Sequence, residues 1–417
     1  MKRINLVMNV DFFDELALHE GSMGPADVEA LVAECKANGI DTMYWRVIGL
    51  GTAGYPSRIV AGADWAATAD FSLSVARMSP AEQQDYHARK GRPWGGRLVD
   101  TLSRMDPVVE ARDACRRHGI KFHIWLDVID ERRNRFLLEH PECLVHGRDG
   151  RTVWPGLRDY ANPAAVGNML AVVDELVAYK PDGLYLSTSC HTRHLNFPEP
   201  DDFFGFGPAI AAAYQRETGR DILDEPLDPV AWNRVKGDAF TEFLRQVKER
   251  LAPIGGKLAV GTQYGPQTIL TTPFFSTHVP FRFDTQWRRW IDEGIADTLV
   301  LGDYEWPWDR VPIWEAKQVF PPAGLQAADV LTPEYVAYAA GRAELLIFSS
   351  WLSAYAQHHQ GASAGNLEDA MRMRARTVLE TGADGLCLHE AHTFEHYKGF
   401  DTVAEMRHTF DAGSINA

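Results

Sequence analysis

Residues 106–127 read DPVVEARDACRRHGIKFHIWLD and contain one complete helix-to-strand unit. Asp106-Pro107 predicts the start of a helix, because an aspartate cap followed by proline suits the first helical turn. His118-Gly119 predicts its end, since glycine readily adopts the left-handed backbone that closes helices. The apolar run 121–127, which follows at once and ends in an aspartate, is typical of a buried strand.

Similar apolar runs recur along the chain, and each ends in polar, aromatic or acidic residues. Most of them are separated by an amphipathic helical stretch. The eight runs cover residues 4–10, 42–47, 121–127, 183–187, 257–264, 298–305, 345–351 and 385–390. Strands that alternate with helices pair in parallel, and eight such units close a barrel. We therefore predict an α/β protein with a (β/α)8 TIM barrel fold, whose active site lies at the carboxyl ends of the strands.

The chain has 417 residues, whereas a bare barrel needs roughly 250. We expect one barrel domain spanning residues 1–417, with the excess in loops that follow strands. The inserted loops are expected near residues 50–104, 131–162 and 189–230. The first of these loops is too long for a plain connector, so it is interpreted as a lid or a wall of a binding pocket.

The composition excludes several classes of partner and location. A net charge of −15 argues against nucleic acid as a partner, because phosphate binding needs clustered Lys and Arg. No apolar run approaches the ~20 residues that cross a bilayer, so no membrane partner is expected. The five cysteines are scattered and odd in number, which indicates neither a disulfide framework nor a zinc cluster. These features predict a cytoplasmic protein, and the oligomeric state cannot be derived from them.

Acidic residues lie at the ends of several predicted strands. Asp303 and Glu305 end the sixth run on one strand face, about 6.6 Å apart at roughly 3.3 Å per residue. Glu390 ends the eighth run and Asp127 the third, while Asp11 and Asp14 follow the first. Cleavage of a glycosidic bond needs a carboxylic acid and a carboxylate, and the mouth of the barrel at the carboxyl ends of the strands would supply both. The alternative for each carboxylate is an ion pair with an arginine or a helix cap.

A second group of residues could bind a substrate at the same end of the barrel. Aromatic rings at strand ends suit the apolar faces of sugars, although any single ring could instead pack a loop onto the barrel. Arginine, histidine, glutamine and tyrosine side chains there could hold hydroxyl or carboxylate groups. The candidate binding residues are Trp45, Arg46, Trp125, His191, Arg193, Gln263, Tyr264, Trp306, Trp351 and His389.

Histidines near the fourth and eighth strands raise the alternative of a metal site. His191 and His194 follow the fourth run, and His389, His392 and His396 surround the eighth. Together with carboxylates they could ligate a divalent ion, but no fixed zinc motif is present. We therefore expect hydrogen-bonding roles for these histidines, with no metal ligands and no cofactor.

Four short segments at about residues 120–190 resemble segments of a known family. They cover residues 119–125, 136–142, 159–163 and 181–186, in that order. The family consists of glycoside-hydrolase-like barrels described as similar to family-ten glycosyl hydrolases. The resemblance covers about a fifth of the chain, and it implies a barrel that acts on carbohydrate.

The chain departs from that family where the family's catalytic acids stand. Members usually carry acidic residues directly after the fourth strand, whereas this chain has residues 187–191, Ser-Thr-Ser-Cys-His. Retaining barrel glycosidases also place glutamate at the end of the seventh strand, which here reads Ser349-Ser350-Trp351. The family's acid and nucleophile therefore cannot be carried over. A glycosidase with this sequence would take its carboxylates from the third, sixth and eighth strands or use an unusual mechanism.

These observations favour a glycoside hydrolase that acts on a small-molecule or oligosaccharide substrate. The proposed catalytic residues are Asp303, Glu390, Glu305 and Asp127. One alternative is a metal-dependent barrel isomerase, lyase or hydrolase that acts on a sugar or sugar acid. The other is a barrel that binds saccharide without catalysis.

Overall fold

The computed structural model describes residues 3–19, 21–49, 51–62, 94–129, 131, 134–188, 204–262, 283–302, 327–350, 375–391 and 400–412. Eight parallel strands pair in chain order, and the last pairs with the first to close a barrel. The strands are β1 (Asn5–Val10), β2 (Thr42–Arg46), β3 (Lys121–Asp127), β4 (Gly183–Ser187), β5 (Lys257–Thr262), β6 (Thr298–Leu301), β7 (Glu344–Ser350) and β8 (Gly385–His389). The predicted (β/α)8 barrel is confirmed, while its extent as one domain over residues 1–417 stays a prediction.

Helices connect the strands on the outside of the barrel. They are α1 (Phe12–Leu18), α2 (Pro25–Ala37), α3 (Trp94–Leu102), α4 (Pro107–His118), α5 (Arg135–Glu139), α6 (Pro163–Val177), α7 (Pro208–Thr218), α8 (Pro229–Leu251), α9 (Trp287–Asp292), α10 (Ala327–Ala339) and α11 (Phe400–Ala412). As predicted, Asp106 caps α4 by accepting from the backbone N–H of Val108 at 3.0 Å, and Gly119 ends it with a φ of 66°. No helix in the described ranges is both long enough and apolar enough to cross a membrane.

The barrel interior is filled by side chains. Val7, Tyr44, Trp125 and Tyr185 belong to a buried cluster contributed by the inward-facing strand positions. The rings of Tyr44 and Tyr185 stack with their centroids 4.6 Å apart. The outward-facing strand positions join a separate, larger core beneath the helices. Since the interior is filled, a ligand can meet the barrel's polar side chains only at the ends of the strands.

Four aspartates set the register at the amino-terminal end of the barrel. Each directly precedes an even-numbered strand, and its backbone N–H donates to the carbonyl of a residue in the preceding strand. Its carboxylate then accepts from the backbone N–H of that same residue. The pairs are Asp41 with Leu6, Asp182 with Phe122, Asp297 with Leu258 and Asp384 with Leu345, and the carboxylate bonds are 2.7–3.2 Å long. A slip by one residue would break both bonds, so each aspartate holds two strands in one register.

The segment near 131–162 is more ordered than the predicted loop. It contains α5 and an antiparallel pair of strands, 144–146 and 153–158. A buried ion pair lies within it, in which Arg158 donates to both carboxylate oxygens of Glu131 at 2.8 and 2.9 Å. Arg158 also donates to the carbonyl of Ala165 at 2.6 Å. These bonds join the insertion to α6, so it forms a fixed wall beside the third strand.

The other two predicted insertions lie partly outside the described residues. Of residues 50–104, the structure describes 51–62 and 94–104, and Glu175 of α6 accepts hydrogen bonds from Tyr55, Ser57 and the backbone of Arg58. Of residues 189–230, it describes 204–230, which include α7. The role of the segment near 50–104 as a lid or pocket wall stays a prediction.

Gly385 provides a test of how closely the strands are packed. A Cβ atom on Gly385 would lie 2.0 Å from the carbonyl oxygen of Asn5, a backbone atom of the neighbouring strand. We expect Gly385→Ala to lower the free energy of unfolding by about 1–3 kcal/mol, because overpacking forces the backbone to move. Urea denaturation followed by circular dichroism measures this change.

Gly167→Ala is the matched control for Gly385→Ala. Gly167 lies inside α6, and its added Cβ would meet no atom within 4 Å. This variant should unfold at a higher urea concentration, since alanine is favoured over glycine in a helix by about 0.5–1 kcal/mol. Equal midpoints for the two variants would contradict the close strand packing at Gly385.

Candidate active site

The carboxyl ends of four adjacent strands bring charged side chains together at one side of the barrel mouth. The strands lie in the order β8, β1, β2 and β3 around the barrel. Asp11 follows β1, Arg46 ends β2, Asp127 ends β3, and His389 and Glu390 lie at the end of β8. All five residues are buried. We call them, together with Asp14 of α1, the mouth cluster.

Arg46 holds three strand ends together. Its Nη1 pairs with Oδ2 of Asp11 and its Nη2 with Oδ2 of Asp127. Its Nε donates to the carbonyl of Ile48 at 3.2 Å, and its guanidinium lies over the ring of Trp125, 5.2 Å from the centroid. A planar guanidinium that donates in three directions has little rotational freedom. Arg46 is therefore a fixed support of the site.

Asp11 and Asp127 are both committed to structural contacts. Asp11 caps α1 by accepting from the backbone N–H of Phe13 at 2.9 Å, in addition to its pair with Arg46. Asp127 accepts from the indole Nε1 of Trp125 at 2.9 Å. These contacts match the alternative given for each carboxylate, which is an ion pair with an arginine or a helix cap. The catalytic role predicted for Asp127 stays a prediction.

Three carboxylates converge at the mouth. Asp11, Asp14 and Glu390 each contribute an oxygen, and these oxygens all lie within 4.8 Å of one another. Asp11 and Glu390 are buried, whereas Asp14 is exposed. Three carboxylates at this spacing could share protons or hold a hard divalent cation. Of the described residues, they are the ones close enough together to hold such an ion.

Asp14 holds a proton more strongly than an ordinary aspartate. Although the Asp14 side chain as a whole is exposed, protein atoms crowd its carboxyl group at the mouth, and this loss of water raises its pKa well above the usual range. The negative charges of Asp11 and Glu390 and a hydrogen bond to Glu390 raise the pKa further, against a smaller lowering by Arg46. The neutral acid can donate this hydrogen bond, while the charged form would face two like charges. Asp14 therefore has the environment of a general acid.

His389 and Glu390 both reach the mouth because the strand ends between them. On a continuous strand they would face opposite sides, but β8 ends at His389. The His389 Nε2 contacts Oε1 of Glu390, and both side chains are at least 97% buried. The imidazole also packs against Trp125, with the ring centroids 5.7 Å apart. The Glu390 carboxylate thus contacts His389 and is also hydrogen-bonded to Asp14.

Trp45 lies away from the mouth. It belongs to the outer core between barrel and helices, and its ring centroid is 5.6 Å from that of Phe12. Its neighbour Arg46 points into the mouth, because successive strand residues face opposite sides. Trp45 is fully buried and packs between the barrel and the helices. This matches the alternative given for aromatic rings at strand ends, which is packing in place of sugar binding. Trp125, in contrast, lies inside the barrel under Arg46.

Eight of the candidate residues lie outside the described residues. They are Asp303, Glu305, His191, Arg193, Gln263, Tyr264, Trp306 and Trp351. Their roles in catalysis or binding stay predictions. Within the sixth apolar run, the strand ends at Leu301.

The structure adds Asp14 and Asn9 to the site. In the sequence, Asp14 is one of several acidic residues near strand ends. Only the fold shows that it lies beside Glu390, because the two residues are 376 positions apart in the chain. Asn9 is an inward-facing residue of β1, and its side chain approaches His389. Its signal in the sequence is an amide within an otherwise apolar run, 4–10. A buried amide needs hydrogen-bond partners, which favours a role in a polar site.

No protein-family model matches the chain, and no curated protein matches its sequence. Among solved structures, it is similar to the PgaB (BpsB) glycoside hydrolase domain from Bordetella bronchiseptica, with a TM-score of 0.56 and 14% identity over 99% of this chain and 100% of that chain. It is also similar to the beta-galactosidase from the psychrophilic Marinomonas ef1, with a TM-score of 0.51 and 14% identity over 93% of this chain and 54% of that chain. At this identity, the likeness shows the shared barrel fold.

Removal of the Arg46 charge should destabilise the protein strongly. Arg46→Met leaves the carboxylates of Asp11 and Asp127 buried without their cation, which typically costs about 3–5 kcal/mol. The same change at Arg289, which pairs with Asp238 and Glu293 on the surface, should cost less than about 1 kcal/mol. Urea denaturation of both variants measures the difference. Equal losses would show that the mouth cluster does not depend on Arg46.

Proposed function

We propose that the protein is a glycoside hydrolase, with Asp14 as the general acid and Glu390 as its partner carboxylate. The observation that carries this proposal is the approach of the Asp14 and Glu390 carboxyl oxygens to within 4.8 Å at the barrel mouth, where crowding by the protein and nearby negative charges raise the pKa of Asp14. Glycosidic cleavage needs such a pair, in which one carboxyl keeps its proton and the other acts as an anion. The pair lies where barrel enzymes place their catalytic groups.

The proposed reaction begins with the proton of Asp14. A glycosidic oxygen displaces Glu390 as the acceptor of this proton, and the leaving group departs as an alcohol when the bond breaks. Glu390 bonds to the anomeric carbon as the leaving group departs. Water later replaces Glu390 at that carbon, and the Asp14 carboxylate takes a proton from the water and so regains its starting form. The two carboxyl groups share a hydrogen bond and their oxygens lie within 4.8 Å of each other, too close for the water that inverting enzymes hold between carboxyl groups ~6.5–9.5 Å apart. We therefore propose a retaining outcome.

The other described residues of the mouth cluster serve as supports. Arg46 and His389 hold the carboxylates in position, and Trp125 supplies the floor on which Arg46 lies. Asp303 and Glu305 remain further candidates for catalysis. The predicted binding residues in the loops, such as Trp306 and Trp351, would complete the sugar subsites.

The comparisons support the proposal without defining the substrate. The PgaB (BpsB) domain is named a glycoside hydrolase domain and the Marinomonas protein a beta-galactosidase. Both share the barrel fold with this chain. The nearer assignment to barrels similar to family-ten glycosyl hydrolases, the cytoplasmic location and the lack of a nucleic-acid partner stay predictions.

A metal-assisted reaction on a sugar or sugar acid is the second candidate. Its supporting observation is the approach of three carboxylates, Asp11, Asp14 and Glu390, within 4.8 Å. Carboxylate oxygens are the ligands that Mg²⁺ and Ca²⁺ prefer. Elemental analysis of the purified protein separates the candidates, because a stoichiometric divalent ion lost together with activity would favour the metal-assisted reaction.

Two variants test the separate roles of Asp14 and Glu390. On an oligosaccharide substrate, Asp14→Asn and Glu390→Gln should each lower kcat by about 10²–10⁴-fold, the range of acid and base catalysis. On a dinitrophenyl glycoside, whose leaving group needs no protonation, Asp14→Asn should keep most of its kcat/KM, which reports the first step, while Glu390→Gln should not. Release of sugar and of dinitrophenol measures the two activities.

Exposed carboxylates on the helices provide the controls. Asp113→Asn in α4 and Glu139→Gln in α5 remove partly or largely exposed charges outside the mouth cluster. Both variants should hydrolyse the oligosaccharide at the wild-type rate. Full activity of Glu390→Gln on both substrates would refute the assignment of this residue.

The pH profile should follow the protonation of Asp14. The protonated form is the active acid, so kcat/KM on the oligosaccharide should hold below the pKa of Asp14 and fall as the pH rises through it. Because the pKa is raised, this fall should begin at higher pH than for an ordinary aspartate. The fall should be weak for the dinitrophenyl glycoside. Identical alkaline falls for both substrates would assign the titration to another group.

A further inference from the structure

A chain of buried polar groups leads from the barrel interior to Glu390. It consists of Cys387 and His389 on β8 and Asn9 on β1, and all three side chains are buried. In the sheet, Asn9 is paired with His389. The chain ends at the contact between His389 Nε2 and Glu390 Oε1.

Cys387 determines which way the amide of Asn9 faces. Its Sγ lies 3.1 Å from Oδ1 of Asn9, where the thiol can donate to the amide oxygen. The amide nitrogen, which carries two protons, then faces Nδ1 of His389 at 3.5 Å. A flipped amide would point its N–H groups at sulfur, a weak acceptor, and its oxygen at the histidine.

This orientation selects one form of His389. A neutral imidazole has one N–H and one acceptor nitrogen, and the partner of one nitrogen decides which is which. Since the N–H of Asn9 faces Nδ1, that nitrogen must accept. The proton then lies on Nε2, the nitrogen that contacts Oε1 of Glu390.

We propose that Cys387 and Asn9 are positioning residues that hold His389 as the Nε2–H tautomer, so that the protonated nitrogen is the one in contact with the carboxylate of Glu390. His389 occupies one side of the Glu390 carboxylate and favours its charged form, so the carboxylate can accept from Asp14. This places the shared hydrogen of the Asp14–Glu390 pair on Asp14. The inference deepens the proposed function and rests on it for its catalytic meaning.

The tautomer can be measured directly. Protein labelled with ¹⁵N at histidine gives separate NMR signals for protonated and unprotonated ring nitrogens, and the loss of one set in His389→Gln assigns that residue. The full-length wild type should show protonated Nε2 and unprotonated Nδ1 for His389. Protonated Nδ1 in the wild type would overturn the proposal.

Variants of the two positioning residues should change this signature. Asn9→Asp places an acceptor opposite Nδ1 and should draw a proton to that nitrogen. Cys387→Ala removes the donor that orients Asn9 and should give a mixture of tautomers, while Cys387→Ser keeps a donor and should restore the wild-type signature. Cys115→Ala is the matched control, since this cysteine is equally buried but contacts Met43 outside the barrel. An unchanged tautomer in Cys387→Ala would refute the role of the thiol.

Kinetics then separate positioning from general stability. In Asn9→Asp, kcat on the oligosaccharide should fall about 10- to 100-fold, as for other partners that orient a functional histidine, with KM nearly unchanged. A purely structural role would leave kcat per folded molecule unchanged, and that result would overturn the proposal. If the wild type shows the Nε2–H tautomer but hydrolyses no glycoside, the proposed function fails and the tautomer assignment holds. If Asp14→Asn abolishes hydrolysis but Nδ1 is protonated, the tautomer assignment alone fails.

Discussion

The pair of contacts that Arg46 makes with Asp11 and Asp127 joins the ends of three neighbouring strands, and the geometry of the mouth depends on it. Burial of three charged groups is costly unless each is satisfied, and here Phe13, Trp125 and Ile48 supply the remaining hydrogen bonds. Asp11 also begins α1, the helix that carries Asp14. The position of the proposed acid therefore depends on an arginine two strands away from Glu390.

The opposite end of the barrel decides which side chains can reach this mouth. The two-point contacts of Asp41, Asp182, Asp297 and Asp384 fix the register of alternate strand pairs. A strand that slipped by one residue would exchange its inward and outward faces. Arg46 would then face the helices, and Trp45 would face the barrel interior. Bonds at the amino-terminal end thus control the chemistry at the carboxyl-terminal end.

The sequence predicted the barrel because each unit is encoded locally. The cap at Asp106, the stop at Gly119 and the apolar run 121–127 lie within 22 residues, and the same order recurs along the chain. It also predicted that Arg46, Asp127, His389 and Glu390 lie at one end, since the carboxyl ends of parallel strands meet there. The placement of Trp45 on the outer face follows from alternation with Arg46. The long segment near 131–162 was harder to predict. Its hairpin is held by an ion pair between Arg158 and Glu131, which are far apart in the sequence.

The sequence by itself determined the number, order and direction of the strands, because hydrophobic periodicity and helix caps act over a few residues. Only the tertiary structure decided which acids meet. Asp14 and Glu390 belong to the first and last units of the barrel, and they become neighbours when β8 pairs with β1. A pKa depends on distance to other charges and on the exclusion of water. Neither quantity is encoded in residue spacing, so the candidate acid emerged only from the closed barrel.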